Sequence, residues 1–211
     1  MMPEERKDLI VLAADLSMQV ALKQILKRHQ SLGIREISCD VEHHPLCDPG
    51  VFQGAHNFLQ GQRRNYHRAL AICDRHGCGK EALPREQLES IIEGRLSSGW
   101  DDRAAAIVID PELENWLWTD SPHVAQGVGW TDAMPLRTWL RNEVLLAEGR
   151  VKPTDPKAAL ERVLRRTRKP KSSSIFESLA SKVSFRSCTD PAFLKLIATL
   201  QSWFPPAGPG F

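Results

Sequence analysis

The chain has 211 residues, enough for one domain, or one with a small extension, and for a sizeable buried core. Hydrophobic residues make up 42% and charged residues 26%, the balance of a globular protein, and no apolar run approaches the length that crosses a bilayer. The net charge of +2 hides an asymmetry: residues 1–120 carry 14 Lys/Arg against 19 Asp/Glu, and residues 121–211 carry 14 against 7. A carboxylate-rich first half joined to a basic second half suits a protein that handles metal and phosphate.

The N-terminus is charged, and the apolar stretch after it is too short for a signal peptide. Five cysteines are an odd number in a chain too large to need disulfide staples. Together these features predict a reducing, cytoplasmic setting.

Leu9–Ala14 is a continuous apolar run of strand length, closed by Asp15. Met18, Ala21, Leu22, Ile25 and Leu26 then recur at helical spacing. A second strand is predicted over Ile34–Val41, with Asp40 near its end. His43–Gly54, with two prolines and two glycines, reads as a loop, and a polar helix follows from about Ala55 to Tyr66. Ala69–Cys73 is the third buried strand, closed by Asp74. Pro84 starts a helix whose apolar face is Leu88, Ile91, Ile92 and Leu96. Ala104–Ile109 is the fourth strand, closed by Asp110, and Pro111–Trp118 reads as a short helix.

Continuous apolar strands alternating with helices predict an α/β fold with a mainly parallel four-stranded sheet covered on both faces. After Trp118 strand signals stop, and helices are predicted around 135–147, 156–167, 173–183 and 191–203. Residues 1–120 thus form an α/β domain, and 121–211 a helical C-terminal extension packed on it. Asp110-Pro111, Asp155-Pro156 and Asp190-Pro191 share one device, an Asp that caps and a Pro in the first helical turn. The tail Pro205–Phe211 is predicted to be loose.

Ligands of a parallel α/β sheet bind outside the carboxyl ends of the strands. Asp15, Asp40, Asp74 and Asp110 are expected at that rim. Carboxylates gathered there repel one another unless a cation or proton lies between them, and oxygen-only clusters suit Mg²⁺ or Mn²⁺. Each Asp can instead cap the helix after it, a reading that Asp74, followed by Arg75-His76-Gly77-Cys78-Gly79, does not fit. Glu112 and Glu114 lie within a turn of Asp110, but two residues apart on a helix they point in different directions, so at most one is expected to face the rim.

Cys39, His43, His44 and Cys47 stand close in sequence, as do Cys73, His76 and Cys78, but their spacing is not that of a zinc ribbon or finger. Zn²⁺ is therefore not the expected metal, and nothing local supports a Cys/His hydrolase pairing of Cys78 or Cys47. Arg162, Arg165, Arg166, Arg168, Lys169 and Lys171 fall within ten residues, followed by Ser172, Ser173 and Ser174. They can track a phosphate backbone, or simply form a solvated helix end. Arg63, Arg64, His67 and Arg68 make a smaller basic group. The six tryptophans read as core rather than as base-stacking platforms.

Several of these stretches carry a resemblance. They are Leu9–Leu26, His44-Pro45 through Asp48-Pro49-Gly50, Cys73–Gly79, and Ile109-Asp110-Pro111-Glu112-Leu113-Glu114-Asn115-Trp116. Further on come Lys152-Pro153, Asp155-Pro156-Lys157, Lys169–Ser174 and Cys188–Phe193. In this order they resemble the Toprim-like superfamily, above all its small stand-alone proteins of bacterial anti-phage loci, including methylation-associated defence systems. The resemblance spans nearly the whole chain, and the Pro-Glu-Leu-Glu-Asn-Trp stretch is its most specific part.

Toprim proteins place a Glu after the first strand and an Asp-x-Asp after a later one, and these acids bind Mg²⁺ for phosphodiester chemistry. Here the Glu position falls on Ala14 or, shifted by one, on Asp15, and the Asp-x-Asp becomes Asp74-Arg75-His76. The resemblance implies a metal-dependent nuclease in which Asp74 carries over as the first catalytic acid; the second acid of the motif is missing, and Glu112 or Glu114 would replace it. Asp15, Asp74 and Glu112 would be metal ligands, and the cations of 162–171 would hold nucleic acid. It also implies defence-system partners; the lack of a long apolar run predicts no membrane. The alternative it leaves is a catalytically degenerate Toprim module that acts as a protein-interaction subunit of a defence complex.

Overall fold

The structure, a computed structural model, describes residues 6–185 and 188–206. Four strands form one sheet in the order β2-β1-β3-β4: β1 Lys7–Ala13, β2 Cys39–His43, β3 Tyr66–Asp74 and β4 Ala104–Ile109. All the pairings are parallel, with Val11 opposite both Val41 and Leu70, and Ala71 opposite Ala106. Leu9 to Ala14 and Ala69 to Cys73 are buried, which is why these strands read as unbroken apolar runs.

α1 (Leu16–Leu26) and the short α2 (His29–Leu32) connect β1 to β2, α3 (Cys47–Gln60) connects β2 to β3, and α4 (Arg85–Trp100) connects β3 to β4. Parallel crossovers are right-handed. The chain moves one way across the sheet from β1 to β2 and the other way from β2 through β3 to β4. α1 therefore covers one face while α3 and α4 pack together over the other.

The remaining helices are α5 (Glu114–Leu117), α6 (His123–Gly127), α7 (Leu136–Asn142), α8 (Pro156–Thr167), α9 (Ser173–Lys182) and α10 (Pro191–Trp203). α9 packs along α1, and α10 lies beside β4. Their apolar residues join those of the sheet in one buried cluster. Among the described residues, no helix is long and apolar enough to cross a membrane.

Helix side chains close both sheet edges. Glu93 and Glu89 of α4 accept the N–H groups of Ala106 and Val108 at 3.1 and 3.0 Å, and Gln19 of α1 donates to the Val41 carbonyl at 2.6 Å.

Some expectations shift. β2 starts at Cys39 rather than Ile34, and Ile34 is buried outside the sheet. The segment read as a loop, His43–Gly54, mostly belongs to α3, which begins at Cys47 and ends at Gln60, while Tyr66 already starts β3. Pro49 falls in the first turn, where it leaves no hydrogen bond unmade. Gly50 is not a breaker but a contact: a Cβ there would come within 2.0 Å of His44 Nδ1. α7 stops at Asn142, short of 147, and Val144 follows with φ 59°. Asp155 and Asp190 cap α8 and α10 as their Asp-Pro pairs predict, accepting from Ala158 and Phe193. Asp110 does not cap, because α5 begins only at Glu114. Most of the tail read as loose, 207–211, lies outside the described residues.

Candidate functional site

A strand order of 2-1-3-4 reverses direction between β1 and β3, and a ligand crevice opens outside the carboxyl ends of the strands at such a switch point. Asp15 lies two residues past the end of β1, and Asp74 is the last residue of β3. The two acids flank the switch point.

Asp15 caps α1 through a 2.8 Å bond from the Met18 N–H to its Oδ1, so capping and a place at the rim coexist. Asp74 Oδ1 is buried and has no hydrogen-bond partner among the described residues. Burial, reinforced by Asp48, Glu114, Glu112 and Asp15, raises the Asp74 carboxyl well above its usual range.

Asp48, in the first turn of α3, accepts the Asp74 backbone N–H at 2.7 Å. Burial pushes its carboxyl up to about 6, against the opposing pull of that hydrogen bond. Asp48 was missed as a site residue because its segment reads as loop. The signal was present in Cys47-Asp48-Pro49, an acid beside a Pro at a helix start.

Glu112 and Glu114 both reach this rim, contrary to the expectation that only one would. The stretch before Glu114 is not helical, so helical spacing does not separate their side chains. It is held by β3's continuation instead. Arg75 donates its N–H to the Ile109 carbonyl at 2.7 Å, and His76 donates to the Pro111 carbonyl at 3.1 Å. Both glutamates are buried and paired with cations of the C-terminal part: Glu112 with Lys157 at 2.8 Å, and Glu114 with Lys171 at 3.6 Å. Burial raises the Glu114 carboxyl, and the hydrogen bond to Glu112 raises the Lys157 ammonium. The exposed His76 ring stands 3.9 Å from Glu112. Lys157 belongs to a motif that carries the resemblance, but no local pattern linked it to Glu112, 45 residues away.

Two of the four expected aspartates are elsewhere. Asp40 lies in β2 and turns toward the opposite end of the sheet, pairing with Lys7 at 2.7 Å and accepting from the Tyr66 hydroxyl. Moving β2 toward the C-terminus leaves Asp40 near the strand's start rather than its end. Asp110 is exposed and pairs with Arg75 at 3.3 Å, on the outer side of the loop that carries Glu112.

The cations of 162–171 divide. Arg162 and Arg166 are paired with Glu143 and Asp132 at 3.0 and 2.7 Å. Lys169 donates to the Gly127 carbonyl at 2.7 Å, and Lys171 pairs with Glu114 and Glu161. Arg165 and Arg168 are exposed and have no acidic partner among the described residues. Of the smaller basic group, Arg63 bonds the Gly99 carbonyl and Arg68 lies over Trp203, away from the rim. Trp100, Trp116 and Trp118 are buried, and Trp130, Trp139 and Trp203 are half-buried.

Among the described residues, no three His, Cys, Asp or Glu side chains group so as to hold a metal ion. Cys73 and Cys78 are buried thiols, raised by that burial. Mg²⁺ asks for less than a full protein cage, since it commonly binds one or two carboxylates and completes its shell with water and substrate phosphate. The partnerless Asp74 Oδ1 next to Asp48 fits that demand. Glu112 and Glu114, already satisfied by lysines, fit it less well. No protein-family model, curated protein or solved structure matches this chain.

Proposed function

We propose that this protein is a Toprim-like component of a bacterial anti-phage defence system that binds nucleic-acid phosphates and cleaves phosphodiesters with Mg²⁺ or Mn²⁺. The observation that carries the reading is the unpartnered, buried Asp74 Oδ1 at the β1/β3 switch point, tied to a second raised carboxyl, Asp48.

Two half-buried acids at one rim, one with a buried oxygen, are costly unless a proton or cation is shared. Asp74 and Asp48 would hold the ion, with Asp15 on the far side of the switch point. When bound, the metal supplies charge stabilisation at the phosphoryl oxygens and activation of water. Lys157 and Lys171, facing Glu112 and Glu114, place positive charge where a phosphate would arrive. In this reading Glu112 and Glu114 orient the lysines more than they bind metal.

The second reading, a degenerate module that serves as an interaction subunit, is favoured by one observation: those same lysines already neutralise two of the rim carboxylates. Cleavage assays on labelled DNA and RNA with Mg²⁺ or Mn²⁺ separate the two. The wild type should cleave, Asp74→Asn should lose at least 100-fold, and Mg²⁺ should raise the Tm of the wild type but not of the variant. Equal inertness of both proteins, with no Mg²⁺ effect on Tm, overturns the catalytic reading in favour of the second.

A further inference from the structure

On α8, Lys157, Glu161 and Arg165 stand four residues apart and so form one stripe along the helix. At one end, Lys157 reaches Glu112 of the acidic rim. At the other, Arg165 lines a groove of about 500 Å³ shared with Glu161, Leu164, Arg168, Lys169, Pro170 and Lys171. Lys171 joins the two ends, since its ammonium lies 3.6 Å from Glu114 of the rim and 3.3 Å from Glu161 of the stripe. Lys171 thus bridges the groove and the rim.

The charges on this helix are sorted by face. Arg162 and Arg166 point to Glu143 and Asp132 on the other side and are neutralised there. Arg165 and Arg168, on the groove side, are exposed and lack acidic partners among the described residues. Leu164 and Pro170 give the groove an apolar wall, and among the described residues no aromatic ring lines it.

We infer that this groove is the track of a single nucleic-acid strand, held by its phosphates on Arg165, Arg168 and Lys169 and led past Lys171 toward the rim. The inference rests on the phosphodiester reading of that rim. From Lys157 to Arg165 the helix rises about 12 Å. Arg165, Arg168, Lys169 and Lys171 all line this one groove, so they meet a single row of phosphates. Without a ring to stack bases, recognition is of the backbone and is indifferent to sequence.

Binding is measured by anisotropy with a labelled 12-nucleotide single strand, on the Asp74→Asn protein in EDTA so that neither metal nor cleavage contributes. Arg165→Ala/Arg168→Ala should weaken binding at least 10-fold. It should also flatten the slope of log affinity against log salt by about 1.4, since each lost single-strand phosphate contact contributes about 0.7. Arg162→Ala/Arg166→Ala should stay within 2-fold. Equal effects of the two pairs, unchanged affinity, tighter binding of a hairpin duplex, or equal binding of polyglutamate would each overturn the track. Cleavage by the wild type without groove-dependent binding would leave the rim reading standing and remove the track. Groove-dependent binding without cleavage would do the reverse.

Discussion

The backbone N–H of Asp74 donates to Asp48 Oδ1 at 2.7 Å, so the acid that ends β3 and the acid that opens α3 are joined through main chain. That bond fixes Asp48 against the strand end, while Asp74 Oδ1 is buried without a partner among the described residues. Pairing through main chain leaves both carboxyls free to compete for one proton or one cation, and burial holds both above their ordinary range.

The pair has a signature in stability against pH. Asp48 titrates at about 6 in the folded chain, against 3.8 for a free carboxyl. Between those values the folded protein keeps a proton that the unfolded chain has lost. The contribution of Asp48 therefore falls as pH rises through that window, and levels off above it. Two units correspond to at most about 3 kcal/mol. Asp48→Asn keeps the Oδ1 acceptor for Asp74 and removes the charge. It should match the wild type near pH 4 and exceed it by about 1–3 kcal/mol at pH 8 in urea unfolding. A variant less stable than the wild type at pH 8 would show that the ionised carboxylate is not the costly form.

Much of this arrangement was legible in the sequence, for identifiable reasons. β1, β3 and β4 are buried on both faces, so burial wrote them as unbroken apolar runs, and Asp15 and Asp74 could be placed at their ends. Helices α8 and α10 announced themselves through Asp155-Pro156 and Asp190-Pro191, whose capping is local. What stayed hidden depends on distant contacts. Gly50 reads as a breaker until the His44 ring is seen against it, and that misreading concealed α3 and with it Asp48. Asp40 lies in the shortest-signalled strand, whose shift toward the C-terminus carries it to the other end of the sheet. The partners of Glu112 and Glu114 come from α8 and the segment after it, and no local spacing encodes pairs so far apart.

The Glu112–Lys157 pair should behave as a one-sided dependence. Glu112 is buried, while Lys157 is about half exposed. Lys157→Met strands a buried carboxylate and should cost about 1–3 kcal/mol, less than for a fully buried pair because water reaches the lysine side. Glu112→Gln strands only a partly exposed ammonium and should cost under about 1 kcal/mol. The double variant should lie closer to the wild type than Lys157→Met does, because the stranded charge is gone. Strict additivity in a double-mutant cycle would mean that the two side chains do not interact.

Asp190 reaches the site from the far end of the sequence. Its Oδ1 accepts from the Trp116 indole N–H at 2.9 Å and from the Phe193 N–H at 3.1 Å, and its Oδ2 accepts from Asn115 at 2.6 Å. One carboxylate thus caps α10 and pins the loop that delivers Glu112 and Glu114. Trp116 is fully buried against Phe193, so its N–H has no water to turn to if the acceptor is removed. Asp190→Ala should therefore cost about 3–4 kcal/mol, a lost cap plus a stranded buried donor. Asp155→Ala removes an exposed cap alone and should cost about 1 kcal/mol. Asp190→Asn keeps one acceptor but turns a second donor toward Asn115. It should fold and cost less than the Ala variant, because Trp116 and Phe193 keep their acceptor and only the contact with Asn115 turns unfavourable. Equal losses for Asp190→Ala and Asp155→Ala in urea unfolding would reduce Asp190 to a helix cap and detach it from the rim.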